Sequence, residues 1–579
     1  MEIKAQGMLV EVSLERQVDK SSLVVEGRVV EKKSVWNAQK NRIITINTVE
    51  VLKRFKGKSD LRINVLTPGG TVGYITQRVT PSLTLKKGDI GVFALYNSDM
   101  DLVTGSASTI KQYKPYSSLQ GFYKYDLLNS TAANPFSKKK NIEAGLYEQI
   151  TRITGEPYKD MLFFRLSEVA GETGRSKNAL APVISGLSPL ELSAGTGEQL
   201  TISGSGFGSS GTVEFKNADD GGETFVAALD SQIVSWSDSQ IVVEVPSGAG
   251  TGSVKVTDNS GVSVESANNL VVVYALSNRI MENGQALQIQ HIGLGGNRIE
   301  WNMNEGFEAN TQAKEAFMRA FDTWRCNTGI NWQMGAETSI NKGVIDGVNA
   351  VLFDDNDPLD DGVLGECRIV TNGCEGGVRA VVVELDVVFN SDINSSQTVA
   401  DESWYFGEGA PAYDQYDFES VALHELGHGH LLAHVIDSGD VMHYAISNSE
   451  TQRSLNAHNE TAAGIIQNFN TTTQVCGQIV MGSYSGQGCN LGIQDLDLAN
   501  ALLVYPNPVN SLLYIENGSS VSLTKVVLYD LSGRVVLQRD LSPSSEGVNT
   551  INVQQVSKGL YMLNLFLENT VVNKKVIVE

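Results

Sequence analysis

Residues 424 to 434 read HELGHGHLLAH and bring three histidines and a glutamate into one short stretch. In an α-helix of about 3.6 residues per turn, His424 and His428 lie one turn apart on one face, so both rings can offer a nitrogen to the same metal ion. Glu425 adjoins the first ligand, where its carboxylate can take a proton from a water at the metal. The stretch therefore predicts a helix that carries a hydrolytic zinc site.

His434 can join the other two histidines only if the chain changes direction after the helix. His434 comes ten residues after His424, which is roughly 280° around a continuing helix, so it joins the site only if the helix stops and the chain turns back. A break is expected near residues 429 to 432. The alternative is another third ligand, such as His443 or an acid downstream. His430 points to a different helix face, where a solvent-facing or supporting role is expected.

This stretch resembles the metzincin metallopeptidases, whose motif HExxHxxGxxH supplies three zinc ligands. The resemblance implies His424, His428 and His434 as ligands and Glu425 as the general base. Leu431 departs from the motif, because the family has a turn glycine at that place. A leucine there has a steric cost if the turn needs a positive φ.

A methionine and a tyrosine extend the resemblance. Met442 follows His434 by eight residues, the spacing of the matrixin branch, in which a methionine lies in a turn beneath the metal. The order Met442-His443-Tyr444 is instead similar to the astacin branch, whose tyrosine reaches the metal or the oxyanion. Met442 is thus expected to support the site, and Tyr444 is a candidate transition-state donor. The alternative for Tyr444 is a packed or surface side chain.

The sequence before the motif indicates an α+β catalytic domain. Residues 313 to 324 carry an apolar stripe at helical spacing, and they resemble the first helix of matrixin-like domains. Residues 350 to 353 and 378 to 389 are rich in strand formers. The stretch VELDVVFN, residues 383 to 390, resembles the metzincin edge strand that pairs with the substrate backbone, which implies affinity through main-chain hydrogen bonds.

An acidic loop lies between the two strand candidates, where residues 353 to 362 read FDDNDPLDDG. Its carboxylates are hard oxygen ligands of the kind that calcium prefers. The candidate calcium ligands are Asp354, Asp355, Asp357, Asp360 and Asp361. The spacing differs from that of an EF-hand loop, and the alternative is a solvated acidic loop.

Two further regions resemble known modules. Residues 181 to 275 resemble the immunoglobulin-like IPT/TIG family through Ser188-Pro189, Gly206-Phe207-Gly208 and Val245-Pro246. A spacer or docking role is favoured there, with substrate or carbohydrate binding as alternatives. The end of the chain resembles the C-terminal sorting domains of type IX secretion substrates of Bacteroidetes. Tyr505-Pro506-Asn507-Pro508, Asp530-Leu531-Ser532-Gly533-Arg534 and Gly559-Leu560-Tyr561 carry that resemblance.

The chain of 579 residues is too long for one core, so several domains are expected. The predicted class is a multidomain protein whose α+β metzincin-like catalytic domain is flanked by all-β modules. The predicted regions are 1–165, a small OB-like barrel with a helix near 141–153; 166–180, a linker; 181–275, an Ig-like sandwich; 276–497, the peptidase domain; and 498–579, the sorting domain. The first region is interpreted as a protease pro-region or an adhesive domain.

The charge and hydropathy of the chain exclude several classes of binding partner. The formal charge of −22 argues against nucleic acid or an anionic membrane surface. No run of about 18 apolar residues occurs, so no transmembrane segment is predicted. The start MEIKAQGMLVEVSLE lacks the apolar core of a secretory signal, and the sorting resemblance favours a signal already removed over a cytoplasmic chain. The expected partners are protein or peptide substrates and the type IX machinery, and a monomer is expected.

Cysteine placement bears on latency. The five cysteines, at positions 326, 367, 374, 476 and 489, all lie in the catalytic region. No thiolate from an N-terminal segment can therefore cap the metal. Local bridges Cys367–Cys374 and Cys476–Cys489, with Cys326 free, are the expected pattern, although spacing alone leaves the connectivity open.

The predicted function is a secreted zinc metalloendopeptidase that hydrolyses extracellular proteins. The alternative is a non-catalytic surface adhesin or binding protein with a degenerate or structural metal site. Three histidines with an open fourth position favour the enzyme, whereas four protein ligands favour a structural site.

Overall fold

The computed structural model divides the chain into two compact units, Met1–Ser485 and Gly486–Glu579. The residues it describes are 9–98, 100, 110–164, 166, 181–281, 284–293, 297–374, 379–393, 402–484, 489, 502–517, 522–529, 535–544, 547–567 and 571–579. Most of the predicted linker 166–180 and the whole of the motif at 530–534 lie outside these residues.

The first region of unit one is a small β-barrel. Its strands are β1 (Leu23–Trp36), β2 (Ile43–Lys56), β3 (Arg62–Pro68), β4 (Gly70–Val72), β5 (Ile75–Thr80), β6 (Ile90–Asn97), β7 (Gln112–Pro115), β8 (Phe122–Asp126), β9 (Thr131–Asn134), β10 (Ser137–Lys140) and β11 (Lys159–Asp160). The path β1-β2-β3-β7-β6 closes because β6 also pairs with β1. The ring encloses buried aliphatic and aromatic side chains, as the alternating strand pattern predicted.

Helices flank this barrel. They are α1 (Leu14–Lys20), a 3₁₀ turn (Ser118–Gly121), a π-helical turn (Ile142–Tyr147) and α2 (Glu148–Thr154). The last two are continuous and confirm the helix predicted near 141–153. The hairpin β4–β5 is the exception to the barrel pairing, because β5 pairs with residues 367–372, far along the chain.

Residues 181–275 form a β-sandwich. Its strands are β12 (Val183–Ser188), β13 (Glu191–Ala194), β14 (Gln199–Ser205), β15 (Gly211–Asn217), β16 (Phe225–Ala227), β17 (Ile233–Trp236), β18 (Gln240–Glu244), β19 (Ala249–Asp258), β20 (Ser263–Glu265) and β21 (Val271–Ala275). Two short 3₁₀ turns, Ala218–Asp220 and Asp230–Gln232, connect them. The buried core of the sandwich continues into that of the following region, residues 278–472.

The region from 278 to 472 combines a mixed sheet with helices. Its strands are β22 (Asn278–Ile280), β23 (Ala286–Gln290), β24 (Ile299–Met303), β25 (Trp332–Met334), β26 (Ala350–Phe353), β27 (Gly365–Cys374), β28 (Arg379–Phe389), β29 (Ser403–Tyr405) and β30 (Gln415–Asp417). Its helices are α3 (Glu305–Ala309), α4 (Thr311–Thr328), α5 (Phe418–Gly429) and α6 (Ala457–Thr472). The main sheet runs β25-β24-β26-β28-β27-β5-β4, so the barrel hairpin completes it.

The edge-strand prediction was wrong. The stretch 383–390 falls mainly in β28, which pairs with β26 on one side and β27 on the other. Its near-continuous apolar run reflects burial on both faces of an interior strand. The strand next to the hairpin is β27, which sequence reasoning missed because GECRIVTNGC mixes charged residues and glycines and does not alternate.

The disulfide prediction was also wrong. Cys374 is bonded to Cys476 across 102 residues, Cys367 is the buried free thiol among the described residues, and Cys326 is disulfide-bonded. The end of β27 meets the segment after α6 only in the folded protein. A disulfide forms where two cysteines come close together in the folded protein, whatever their separation in the sequence.

Unit two holds two sheets around its own apolar core. Its strands are β31 (Leu502–Tyr505), β32 (Leu512–Asn517), β33 (Leu523–Tyr529), β34 (Val535–Ser544), β35 (Gly547–Asn552), β36 (Gly559–Leu567) and β37 (Val571–Val578). Within the described residues of both units, the helices are too short or too polar to cross a bilayer.

Candidate metal centre

Helix α5 carries the first two histidines and the glutamate. It begins after Asp417, whose side chain caps it by accepting from the Ser420 amide at 3.0 Å. Every residue of the helix is buried. The helix ends at Gly429, which confirms the break expected near residues 429 to 432.

The turn after the helix is built around Leu431. The Leu431 amide donates to the His428 carbonyl at 2.8 Å and the Leu432 amide to the Gly427 carbonyl at 3.0 Å, which is the double hydrogen bond of a Schellman C-cap. Leu431 has φ +70°, in the region that favours glycine. Its side chain is fully buried, so apolar burial offsets the backbone strain and the turn survives without the glycine of the motif.

The chain beyond this turn is held by the end of the sandwich. The Ser277 amide donates to the Leu431 carbonyl at 2.8 Å, and the Ala433 amide donates to the Ala275 carbonyl at 2.8 Å. These bonds direct the following residues back toward α5. As a result, His434 faces His424 and His428.

The three histidines form one cluster. One ring nitrogen of each of His424, His428 and His434 lies within 4.8 Å of the others, and the Nε2 atoms of His428 and His434 are 3.0 Å apart. Among the described residues, this is the group of side chains arranged to hold a metal ion. His443, the alternative third ligand, is outside the cluster and bonds the Val435 carbonyl through Nδ1 at 3.2 Å.

The outer ring nitrogens are all occupied by acceptors. Nδ1 of His424 lies 2.7 Å from the Val441 carbonyl, and that of His428 lies 3.0 Å from the Leu432 carbonyl. Nδ1 of His434 lies 2.7 Å from Oδ1 of Asp219. These acceptors assign the proton to Nδ1, so the Nε2 lone pairs point into the cluster.

A zinc ion fits this donor set. Nε2 of His424 is buried and has no hydrogen-bond partner among the described residues, which is costly unless a ligand fills the site. Burial lowers the pKa of His424 and of His428 well below the usual range, and the neighbouring histidines add to the effect. Neutral imidazole is the form that binds a metal.

Glu425 directly follows His424 on the helix. Its side chain is fully buried, and no described side chain bonds its carboxylate. Burial raises the pKa of Glu425 well above its usual range, the nearby Glu366 carboxylate adds to the rise, and the backbone N–H of Cys367 in β27 opposes it. A carboxylate next to a metal-binding histidine can exchange a proton with a water or a substrate.

Met442 packs beneath the helix. A Cβ placed on Gly427 would lie 2.3 Å from Sδ of Met442 and 2.9 Å from the Trp324 ring, so the glycine makes room for both side chains. Trp324 donates from its indole nitrogen to the Leu423 carbonyl at 2.7 Å. Met442 therefore packs against the face of α5 that carries Gly427, and its role as a support for the histidines stays a prediction.

Tyr444 and His430 contact other groups. The Tyr444 hydroxyl donates to the Pro135 carbonyl of the barrel at 3.2 Å, and its role as a transition-state donor stays a prediction. His430 is not exposed to solvent but is buried between Trp324 and Trp332. Its Nε2 lies 3.0 Å from the Thr328 hydroxyl.

The acidic loop, residues 353–362, contacts the barrel. Arg42 pairs with Asp357, Tyr96 donates to Asp360, and Tyr116 and Arg16 both bind Asp361. Asp354 accepts the amides of Leu359 and Ser391 at 2.7 Å each, and Asp355 is exposed. These carboxylates do not converge on one point, so the structure gives the calcium prediction no support.

Sequence reasoning missed Asp219. This residue belongs to a 3₁₀ turn of the sandwich, Ala218–Asp220, whose cap is Asn217. The stretch KNADDGG indicates a turn and nothing more. No pattern in the sequence connects a turn at 219 to a histidine at 434, since only the packing of the sandwich brings them together.

The comparisons with known proteins identify three segments. Residues 373–470 match the matrixin family model, residues 182–273 the IPT/TIG domain, and residues 503–579 the secretion system C-terminal sorting domain. The class defined by fold and site is therefore a multidomain, mostly β protein with a matrixin segment. All three resemblances read from the sequence are confirmed.

No curated protein matches the chain. Among solved structures, a protein of unknown function from Bacteroides thetaiotaomicron aligns at 14% identity with a TM-score of 0.15, over 21% of this chain and 32% of the other. The BSP domain of a biofilm associated protein aligns at 8% identity with a TM-score of 0.13, over 100% of this chain and 84% of the other. At these TM-scores neither likeness bears on the fold.

Proposed function

We propose that this protein is a zinc-dependent metalloendopeptidase. The observation that carries the proposal is the convergence of His424, His428 and His434 through their inner nitrogens, with the buried carboxylate of Glu425 directly after the first of them. The matrixin match over residues 373–470 supports the same reading. Since the cluster offers three ligands, a fourth position is left for water or substrate, which favours a catalytic site over a structural one.

The residues then have separate roles. His424, His428 and His434 hold the zinc ion, and the acceptors on their Nδ1 atoms keep the rings oriented. Bound zinc supplies a Lewis acid that polarises a carbonyl and makes water more acidic. Glu425 accepts the proton of the attacking water and delivers it to the leaving amine of the peptide. Met442 supports the helix without touching the substrate.

Export to the cell surface or the medium belongs to the same proposal. The sorting-domain match over residues 503–579 supports passage through the type IX secretion machinery. Extracellular proteins or peptides are then the substrates. Deletion of residues 503–579 is expected to keep the protein inside the producing cell.

The activity is tested with the full chain. Purified protein should bind one zinc ion per molecule and cleave fluorescein-labelled denatured casein, and Glu425→Gln should slow cleavage by roughly 10²- to 10⁴-fold while keeping the metal. Glu460→Gln, at an exposed carboxylate of α6, is the matched control and should change neither quantity. Stoichiometric zinc with cleavage unaffected by Glu425→Gln would contradict the proposal.

A further inference from the structure

The candidate active site is closed to a protein substrate. The exposed fractions are 0% for His424 and Glu425, 1% for His428 and 4% for His434. Hydrolysis of a peptide bond requires the scissile carbonyl to touch these groups. Some part of the chain must therefore lie where a substrate would lie.

Strand β27 passes directly beside the proposed base. A Cβ placed on Gly365 would lie 3.1 Å from Cγ of Glu425 and 3.0 Å from Val421 of the same helix. One edge of β27 is paired with β28. An extended peptide that adds to the other edge would run past Glu425, in the way that peptides commonly bind exposed sheet edges.

The hairpin strand β5 occupies this edge. It pairs antiparallel with β27 over six residues, from Thr80 opposite Cys367 to Ile75 opposite Asn372. At the hairpin tip, the Gly373 amide donates to the Tyr74 carbonyl at 2.7 Å. Because main-chain groups alternate in direction along an antiparallel strand, those of Thr76 and Arg78 also face β27. The polar groups that a substrate backbone needs are thus already satisfied.

Arg78 is the charged residue of this strand. It lies in the middle of β5, opposite Ile369, and is half-buried.

The acidic loop binds the barrel that carries the hairpin. Arg42 pairs with Asp357, and Arg16 reaches Asp361 at 3.4 Å. The Val10 amide donates to the Gly362 carbonyl at 2.7 Å. These contacts join the barrel to the catalytic region at a second place, so the hairpin does not depend on its strand pairing alone.

From this arrangement we propose that hairpin β4–β5 is an intramolecular inhibitor, which binds the outer edge of β27 in place of an extended peptide substrate and holds the full chain at a low residual activity until it is displaced. This inference rests on the proposed peptidase function and adds its regulation. It also explains latency without a cysteine, since the barrel contains none.

The test uses the full zinc-loaded chain and one position of the hairpin. Thr76→Pro removes an amide that faces β27 and cannot continue the pairing, whereas Thr76→Val keeps the backbone and is the matched control. Thr76→Pro is expected to raise kcat/KM for labelled denatured casein about tenfold or more, because the open fraction rises. Hydrogen exchange of the β27 amides should accelerate in the same variant, and zinc content should stay the same.

A second variant, outside the hairpin, shows whether the effect of Thr76→Pro comes from release of the hairpin or from local misfolding. Asp361→Asn weakens the contact between the acidic loop and the barrel, because this carboxylate binds Arg16 and Tyr116. It lies outside the hairpin and should raise both cleavage and β27 exchange in the same direction. If β27 exchanges faster in either variant but casein is cleaved at the same measurable rate as by the unmodified chain, the inhibitor proposal is wrong and the peptidase stands. If exchange accelerates and no form cleaves casein despite bound zinc, the peptidase function itself is wrong. Unchanged exchange in both variants means that the hairpin is not the cover and overturns the inference.

Discussion

Oδ1 of Asp219 lies 2.7 Å from Nδ1 of His434, although the two residues are 215 positions apart and belong to different regions of unit one. The carboxylate fixes the ring orientation of the third histidine, which sits on the irregular segment after α5 and has no helix to hold it. The IPT/TIG-like sandwich therefore contributes a hydrogen-bond acceptor to the histidine cluster. His424 and His428 rely on backbone carbonyls for the same purpose.

Asp219→Ala is expected to weaken zinc binding. Loss of a carboxylate that orients a metal-binding histidine typically costs about 10- to 100-fold in metal affinity. Competition with a chromogenic chelator measures this directly, and Asp219→Glu should restore part of the affinity by returning a carboxylate. Asp230→Asn, at an exposed turn of the same sandwich, should leave the affinity unchanged. Equal zinc affinity in Asp219→Ala and the unmodified chain would show that His434 needs no such partner.

Substitutions at Leu431 distinguish the free-energy cost of its left-handed backbone from the stabilisation by its buried side chain. The left-handed backbone costs a non-glycine residue about 1–2 kcal/mol, while truncating a buried leucine costs about 2–5 kcal/mol. Leu431→Gly and Leu431→Ala should therefore both destabilise the protein. The glycine variant should be the more stable of the two by about 1 kcal/mol, because it relieves the strain at φ +70°. Denaturant unfolding compares them, and the opposite order would mean that the turn is unstrained.

Gly427 and Gly429 form a matched pair on α5. A Cβ on Gly427 meets Met442 at 2.3 Å, whereas a Cβ on Gly429 has its nearest neighbour, the Trp301 ring, at 3.5 Å. Gly427→Ala should cost about 1–3 kcal/mol by overpacking and lower zinc affinity, because the helix must shift away from the methionine. Gly429→Ala should be neutral or slightly stabilising. Equal melting temperatures and zinc affinities for the two variants would rule out a tight methionine support.

Glu384 gives a pH dependence of stability that is separate from the metal site. Burial raises its pKa from 4.5 to about 7, against the amides of Asp346 and Gly347 that bond its carboxylate. The native state then holds this proton more tightly than the unfolded chain does. The contribution of Glu384 to stability is thus present below pH 4.5 and is lost as pH rises through about 7.

Glu384→Gln should flatten that part of the stability profile. At pH 7.5 the variant is expected to gain stability relative to the unmodified chain, by about 3 kcal/mol at most, and the two should converge near pH 4.5. Denaturant midpoints across this range measure the difference. Glu337→Gln, at an exposed carboxylate, is the control and should follow the unmodified profile. A parallel shift of the Glu384→Gln curve at all pH values would contradict the assignment.

Local patterns were sufficient for the elements around the site. The helix predicted at 313–324 lies within α4, Thr311–Thr328, and the strand predicted at 350–353 is β26. Both depend on side-chain periodicity, which acts over a few residues. The histidine spacing likewise gave the cluster, and the need for a turn before His434 followed from helix geometry alone. Leu431 at the glycine position did not break that turn, because burial of its side chain offsets the strain.

The sequence by itself thus determined the three histidines, Glu425, Met442 and the identity of the flanking modules. These are encoded in short motifs, where chemistry and spacing lie close together along the chain. Tertiary structure alone decided which strand lies beside Glu425, that β5 pairs with that strand, that Asp219 contacts His434, and that Cys374 bonds Cys476. Each of these contacts joins residues far apart in the chain. Their positions depend on how the three regions of unit one pack against one another, and no local pattern carries that information.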